Sequence, residues 1–454
     1  MSQESDFTKG PITGPLLKFA LPVLLALILQ ALYGTVDLLI VGRFAESCDV
    51  SAVATGSQIM MTVTHIICAL SVGTTIYLGQ TLGAGDPQKG GRIVGASLGL
   101  FLLLSAVITV LVPLFDQELA SLMNAPAEAF DLTADYIFIC GLGSGVIIFY
   151  NLIGSIFRGL GDSKTPLITV VIACVCNIIG DLLLVAVFSL GTRGAAWATV
   201  GAQAVSVWLS VCIIKRQKLP FEFSWQGLNF ERAIVIRLLS LGVPVALQSF
   251  LVGLSFLIIL AIVNNLGLIP SAGVGVAEKI CEFVMLFPSA FAQSMSAFVA
   301  HNIGAGRYDR ACLALRSAIS AALCLSLIMF VMGFWHGDLL ARLFTPEALV
   351  ISAAADYLKA YAIDCLLTSF LFCFIGFFNG LGYTKFVMIQ GIIGAFAVRV
   401  PVSYYMSLRE PVSLFQIGLA TPCSTIVQIV LCFACLVYAN RHFGQADAVR
   451  SVAG

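Results

Sequence analysis

Asp37, Asn177 and Asp181 are polar groups set inside long apolar runs. An ionisable side chain at membrane depth is costly, so it reads as a functional position. Asn177 and Asp181 are four residues apart and share one helix face. Asp37 follows Lys18 by 19 residues and Asp181 follows Lys164 by 17; at helical rise these are about 28 Å and about 25 Å. Both carboxylates therefore reach a similar depth. Two carboxylates and an amide oxygen can hold a hard cation such as Na⁺ through oxygen alone, or share a proton. A cation bound between them expels the shared proton, so proton and Na⁺ compete for one site. A second set of charges lies further along: Glu278, Lys279 and Glu282 in one run, and Asp364 and Arg399 in two others. Paired buried charges commonly only neutralise one another. The set reads as a structural ion network fastening three helices, with a second coupling or substrate site as the alternative.

The elements that must carry these residues are membrane spans. Of 454 residues, 59% are hydrophobic and 11% charged, and mean hydropathy is +1.00. Soluble domains carry about 25% charge, so a soluble enzyme or a disordered scaffold is excluded for the whole chain. Basic and acidic residues balance at 24 each, which leaves no basic footprint for nucleic acid. The polar start, Met1 to Gly10, lacks the features of a signal peptide. A crossing needs ~20 apolar residues. Twelve runs qualify: 16–41, 52–80, 92–115, 132–157, 166–190, 195–214, 237–264, 272–300, 311–335, 352–378, 386–408 and 414–440. With both termini cytoplasmic, Lys and Arg number seventeen on the inner side and four on the outer, with three inside spans, as the positive-inside rule requires. Pro22, Pro166, Pro244, Pro288 and Pro401 fall in or at the ends of spans, and interior ones invite kinks.

The chain repeats itself. Gln80-Thr-Leu-Gly-Ala-Gly85 returns as His301-Asn-Ile-Gly-Ala-Gly306, and Phe157-Arg-Gly-Leu-Gly161 as Phe378-Asn-Gly-Leu-Gly382, both 221 residues on. Pro22 and Pro244 are 222 apart. A constant offset of polar residues is not chance similarity between greasy helices. A six-span repeat enters the membrane twice from the same side, giving parallel halves. The expected fold is all-α: twelve transmembrane helices in two six-helix bundles. Its parts are an N-terminal bundle 1–214, a cytoplasmic linker 215–236, a C-terminal bundle 237–440 and a cytoplasmic tail 441–454. The halves differ where the acids lie. By the same offsets the counterpart of Asp37 is Ile259 and that of Asp181 is Val402, so cation coupling belongs to the first half.

In this ordered set of features the chain resembles the multidrug and toxic compound extrusion (MATE) family over nearly its whole length. The set comprises the duplicated halves, Pro22 followed by Asp37, the two Gly-Ala-Gly turns, the Phe157-Arg-Gly-Leu-Gly-Asp-Ser-Lys-Thr-Pro166 loop, and Asn177 with Asp181. The resemblance implies alternating access by two bundles and export of organic solutes against Na⁺ or H⁺. It places a cation site on Asp37, Asn177, Asp181 and Thr199, with Na⁺ as the metal if one is used, and a bend of the first span at Pro22. One branch of the family has acids in spans 7 and 10. Here span 7 has none and Asp364 does not match the span 10 position cleanly, so that second site is not carried over. The expected protein is a monomer of a plasma (inner) membrane, working on cationic or amphipathic organic compounds without a cofactor beyond the coupling ion. A flippase or exporter of a lipid-linked or endogenous metabolite is the alternative. Gly161-Asp-Ser-Lys-Thr165 lacks phosphate-loop spacing and is expected to cap the following helix through Asp162 or Ser163.

Overall fold

The computed structural model describes residues 7–216, 220–221 and 231–452. Most of the expected linker and both extreme termini lie outside the described residues. Among the described residues eleven helices are long and apolar enough to cross a membrane, and a bent pair supplies a twelfth if it counts as one span. The chain divides into two compact units. One is Lys18–Ala246, and the other joins Phe7–Leu17 to the chain from Leu247 onward. These limits differ from bundle boundaries at 214 and 237, because each unit takes in the start of the other half's first helix.

The first unit holds most of α1 (Thr13–Phe44), then α2 (Ser47–Gly83), α3 (Pro87–Leu114), short α4 (Asp116–Leu122), α5 (Phe130–Leu142), α6 (Ser144–Gly159), α7 (Lys164–Asp181) and α8 (Gly191–Arg216). The expected span 132–157 is broken: α5 and α6 meet at 54°. Gly143 sits at the break. A Cβ there would lie 2.4 Å from the Val200 side chain, so only glycine lets α8 come this close, and a Gly-Ser pair is a common kink site. Asp162 accepts hydrogen bonds from the Lys164 and Thr165 amides, and so caps α7 as expected. After Asp181 the helix widens into π-helical turns over Leu182–Val187.

The second unit holds the rest of α9 (Arg232–Asn264), then α10 (Leu268–Gly304), α11 (Tyr308–Trp335), short α12 (Gly337–Ala341), α13 (Ala348–Leu381), α14 (Thr384–Ile392), α15 (Val400–Ser407), α16 (Leu414–Gly418) and α17 (Ala420–Val452). The duplication is visible in the helix starts. Ser47, Pro87 and Asp116 open α2, α3 and α4; Leu268, Tyr308 and Gly337, each 221 later, open α10, α11 and α12. Pro22, Pro244 and Pro288 lie inside unbroken helices. The expected span 386–408 is α14, π-helical turns over Ile393–Arg399, and α15. Pro401 follows those turns, and it cannot donate to the carbonyl four residues back. The expected tail from 441 continues α17 as far as Val452.

Candidate functional site

Within the first unit, α1 carries three polar residues on one face. Gln30, Tyr33 and Asp37 are spaced by three and four, which stacks them along a helix. Each meets a neighbour. Gln30 donates to the Tyr150 hydroxyl at 3.0 Å. The Tyr33 hydroxyl donates to the Thr199 carbonyl at 3.4 Å. The Thr199 hydroxyl donates to Asp37 Oδ2 at 3.3 Å. Asp37 is 4% exposed, and Asn177 and Asp181 are fully buried. Asp181 and Asn177 border the Asp37 carboxyl, so all four expected residues converge. They come from α1, α7 and α8. The fixed points are the i,i+4 pair on α7 and the π-helical turns that begin at Leu182, a distortion often found at functional positions.

What marks this cluster is unmet demand. Asp37 Oδ1, both Asp181 oxygens and both amide atoms of Asn177 are buried with no hydrogen-bond partner. Each such atom costs about 1–3 kcal/mol and more when charged. Oxygens from two carboxylates, an amide and a hydroxyl suit a hard monovalent cation, and two adjacent carboxylates suit a shared proton. Among the described residues no group of three or more His, Cys, Asp or Glu could hold a metal ion, so the donor set is not that of zinc or iron.

The second unit treats its charges differently. Lys279 pairs with Glu282 at 3.2 Å, with both side chains more than half exposed. Glu278 is half-buried on the same helix and its Oε1 has no partner. Asp364 is buried with Oδ1 unpartnered and Thr425 beside it. Arg399 is buried, donates to Ser255 Oγ at 3.2 Å and stacks on Phe256 at 4.3 Å. The expected three-helix ion network is not closed by direct ion pairs, although Asp364 and Arg399 lie close enough to interact. Glu282 pairs only along its own helix, and among the described residues Arg399 forms no ion pair with Asp364, Glu278 or Glu282. An aromatic face and a hydroxyl take the guanidinium instead, an arrangement that suits a weakly hydrated planar cation.

A family model described as MatE matches residues 22–183 and again residues 244–405. The chain belongs to the MatE family. The two matches lie 222 residues apart, the spacing of Pro22 and Pro244, so the repeat read from the chain is the family's own unit. This MatE chain is a multi-pass membrane protein of a transporter family and not an enzyme. The probable multidrug resistance protein YpnP of Bacillus subtilis (strain 168) is 27% identical over 403 residues, covering 88% of this chain and 90% of that protein. The probable multidrug resistance protein YoeA of the same strain is 24% identical over 422 residues, 91% of each. A solved outward-facing conformation of a multidrug resistance MATE family transporter of the MOP superfamily matches with a TM-score of 0.90 at 20% identity, over 98% of this chain and 99% of that one. At that identity the likeness is one of fold. The MatE chain also holds site neighbours that the sequence reading passed over: Gln30 and Tyr33 beside Asp37, Tyr150 opposite Gln30, and Ser255 and Phe256 around Arg399. The spacing of Gln30, Tyr33 and Asp37 was a usable signal for the first two.

Proposed function

We propose that the protein is a Na⁺- or H⁺-coupled antiporter that exports cationic or amphipathic organic compounds by alternating access. One observation carries the reading: five buried polar atoms of Asp37, Asn177 and Asp181 have no hydrogen-bond partner inside a membrane-spanning unit. A cation arriving between the two carboxylates takes up those oxygens and displaces a shared proton. Thr199 adds a hydroxyl that already points to Asp37. Pro22, inside α1, is the proposed bend that follows occupancy. The names of the Bacillus relatives, both probable multidrug resistance proteins, support drugs as the substrate class. The excess of Lys and Arg in alternate loops supports cytoplasmic termini in a plasma membrane, and the duplicated halves support a monomer as the working unit. The test is reconstitution in liposomes with an imposed Na⁺ or proton gradient and ethidium inside. Gradient-driven efflux that is lost in Asp37→Asn and Asp181→Asn is expected. Efflux that ignores both gradients, or survives both substitutions, contradicts the reading.

A further inference from the structure

Helix α1 is loosely held for a span. Only 11% of its most apolar window is buried, against 50% for α2 and 67% for α13. With so little apolar contact, its polar contacts carry more of the load. In its later part those are the bonds of Gln30, Tyr33 and Asp37 to Tyr150 and Thr199, all within the first unit. Its start belongs to the second unit, and there a strap of chain ahead of the helix is tied down.

The strap runs from Phe7 to Gly10. Its carbonyls precede the helix and have no helical donors, so other donors must meet them. Arg310 supplies most. Its Nη1 donates to the Gly10 carbonyl at 2.9 Å. Its Nη2 donates to Phe7 at 3.1 Å and Lys9 at 3.3 Å. Asn302 orients it by accepting from Nε at 3.2 Å, and itself donates to the Phe7 carbonyl at 3.2 Å. Arg307 donates to the Thr8 carbonyl at 2.6 Å. The Phe7 ring is buried against Phe298 and edge-on to His301, with centroids at 5.0 Å and 5.4 Å. Thr13 adds a bond to Ser317 at 3.2 Å. This is a planar fork reading bare backbone, plus one aromatic plug.

The repeat-equivalent helix is treated alike. The start of α9 belongs to the first unit. Phe221, ahead of it, is buried in a core with Leu78, Ile93 and Leu238, beside the α2–α3 turn. Glu231 pairs with Arg92 of α3 at 3.2 Å. Gly73 and Gly242 let α2 and α9 meet backbone to backbone: a Cβ on Gly242 would lie 2.3 Å from the Leu70 carbonyl. Each half's first helix thus starts in one unit, passes a proline near the boundary, and continues in the other.

We infer that Phe7, Asn302 and Arg310 are positioning residues for coupling: they anchor the start of α1 in the second unit, so that a change at Asp37 in the first unit is transmitted to the second. The inference rests on the proposed cation site at Asp37. A rod pinned at one end by polar contacts that change with occupancy does work on the other unit only if its other end is fixed. Without the strap, the cation still binds and α1 still responds, but the second unit no longer moves in step with it.

The experiment compares wild type with Phe7→Ala, Arg310→Ala, Arg310→Lys and Asp37→Asn. Purified proteins are assayed for ²²Na⁺ binding and proton uptake, and proteoliposomes for ethidium efflux and for cation flux without dye. Phe7→Ala and Arg310→Ala should keep cation binding within about twofold while efflux falls about tenfold or more and dye-independent cation flux rises. Lysine should not rescue, because one ammonium cannot serve the carbonyls that the fork spans. Asp37→Asn should lose binding and efflux together. Wild-type efflux with an unchanged cation-to-dye ratio in both strap variants overturns the inference and leaves the cation site standing. Loss of cation binding in both overturns it too, since the strap is then only structural. If Asp37→Asn keeps both binding and efflux, the cation site itself is wrong and the strap has no input to transmit.

Discussion

The two halves share a scaffold and differ in what they do with buried charge. In the first half, span four breaks at Gly143, α8 closes in through Val200, and Asp37 and Asp181 meet with three of their four oxygens unpartnered. In the second half, the position 221 residues after Gly143 is Asp364, and helix α13 runs through it unbroken. Val200 is replaced by Thr421 at the same offset, and the acid that stands in the glycine's place has the Thr425 side chain beside it. Arg399 in that half is met by Ser255 and the Phe256 ring rather than by a carboxylate. Both halves place π-helical turns against their buried charge: Leu182–Val187 after Asp181, and Ile393–Arg399 ending on the arginine. Duplication kept helix lengths and turns. Divergence put an ion-hungry acid pair in one half and singly placed charges, each with an unmet atom of its own, in the other.

Four substitutions break or sharpen that contrast. Asp37→Asn has the largest expected effect, a loss of gradient-driven efflux on the order of 100-fold with near-normal expression; efflux in proteoliposomes reads it, and wild-type rates remove the first half from the coupling step. Ile259→Asp sets an acid at the buried position that repeats Asp37. With no partner there it should destabilise by more than about 3 kcal/mol and create no new coupling; a folded variant with altered cation stoichiometry would mean the second half can host the chemistry after all. Arg399→Ala should lower the melting temperature, costing about 1–3 kcal/mol through the lost bond to Ser255 and the lost stacking on Phe256, while transport persists. Unchanged melting with blocked transport reverses the structural reading of that residue. Lys279→Ala should do least. Its pair with Glu282 is more than half exposed, so about 0.5 kcal/mol or less is at stake. A large change would show that the pair is not bathed by water as exposed charges on a span must be.

Much of this was legible in the chain because membranes impose simple rules. Hydropathy and length located the spans, and the 221 offset exposed the duplication. Helical rise put Asp37 and Asp181 at one depth, and the two lie side by side in the structure. A cap by Asp162 or Ser163 followed from their place ahead of Lys164, and Asp162 makes it. Three things were not legible. The 54° break at Gly143 depends on the approach of Val200 from a distant helix. The fate of Arg399 depends on whether an acid or an aromatic ring reaches it first, and depth estimates do not decide lateral contact. The Phe7 strap has no periodicity, because it binds through backbone carbonyls.

The central claim is that Asp37 and Asp181 form one site for which proton and cation compete. The most direct measurement is Na⁺ binding to purified protein from about pH 5 to about pH 9, in wild type and in Asp181→Asn. Protonating the pair removes the charge that holds Na⁺, so affinity should weaken as pH falls, by up to about tenfold per pH unit where one proton must leave. Asp181→Asn should lose most of the binding. Na⁺ affinity that is flat with pH, or that survives in Asp181→Asn, contradicts the account and moves the coupling site to Glu278, Glu282 or Asp364.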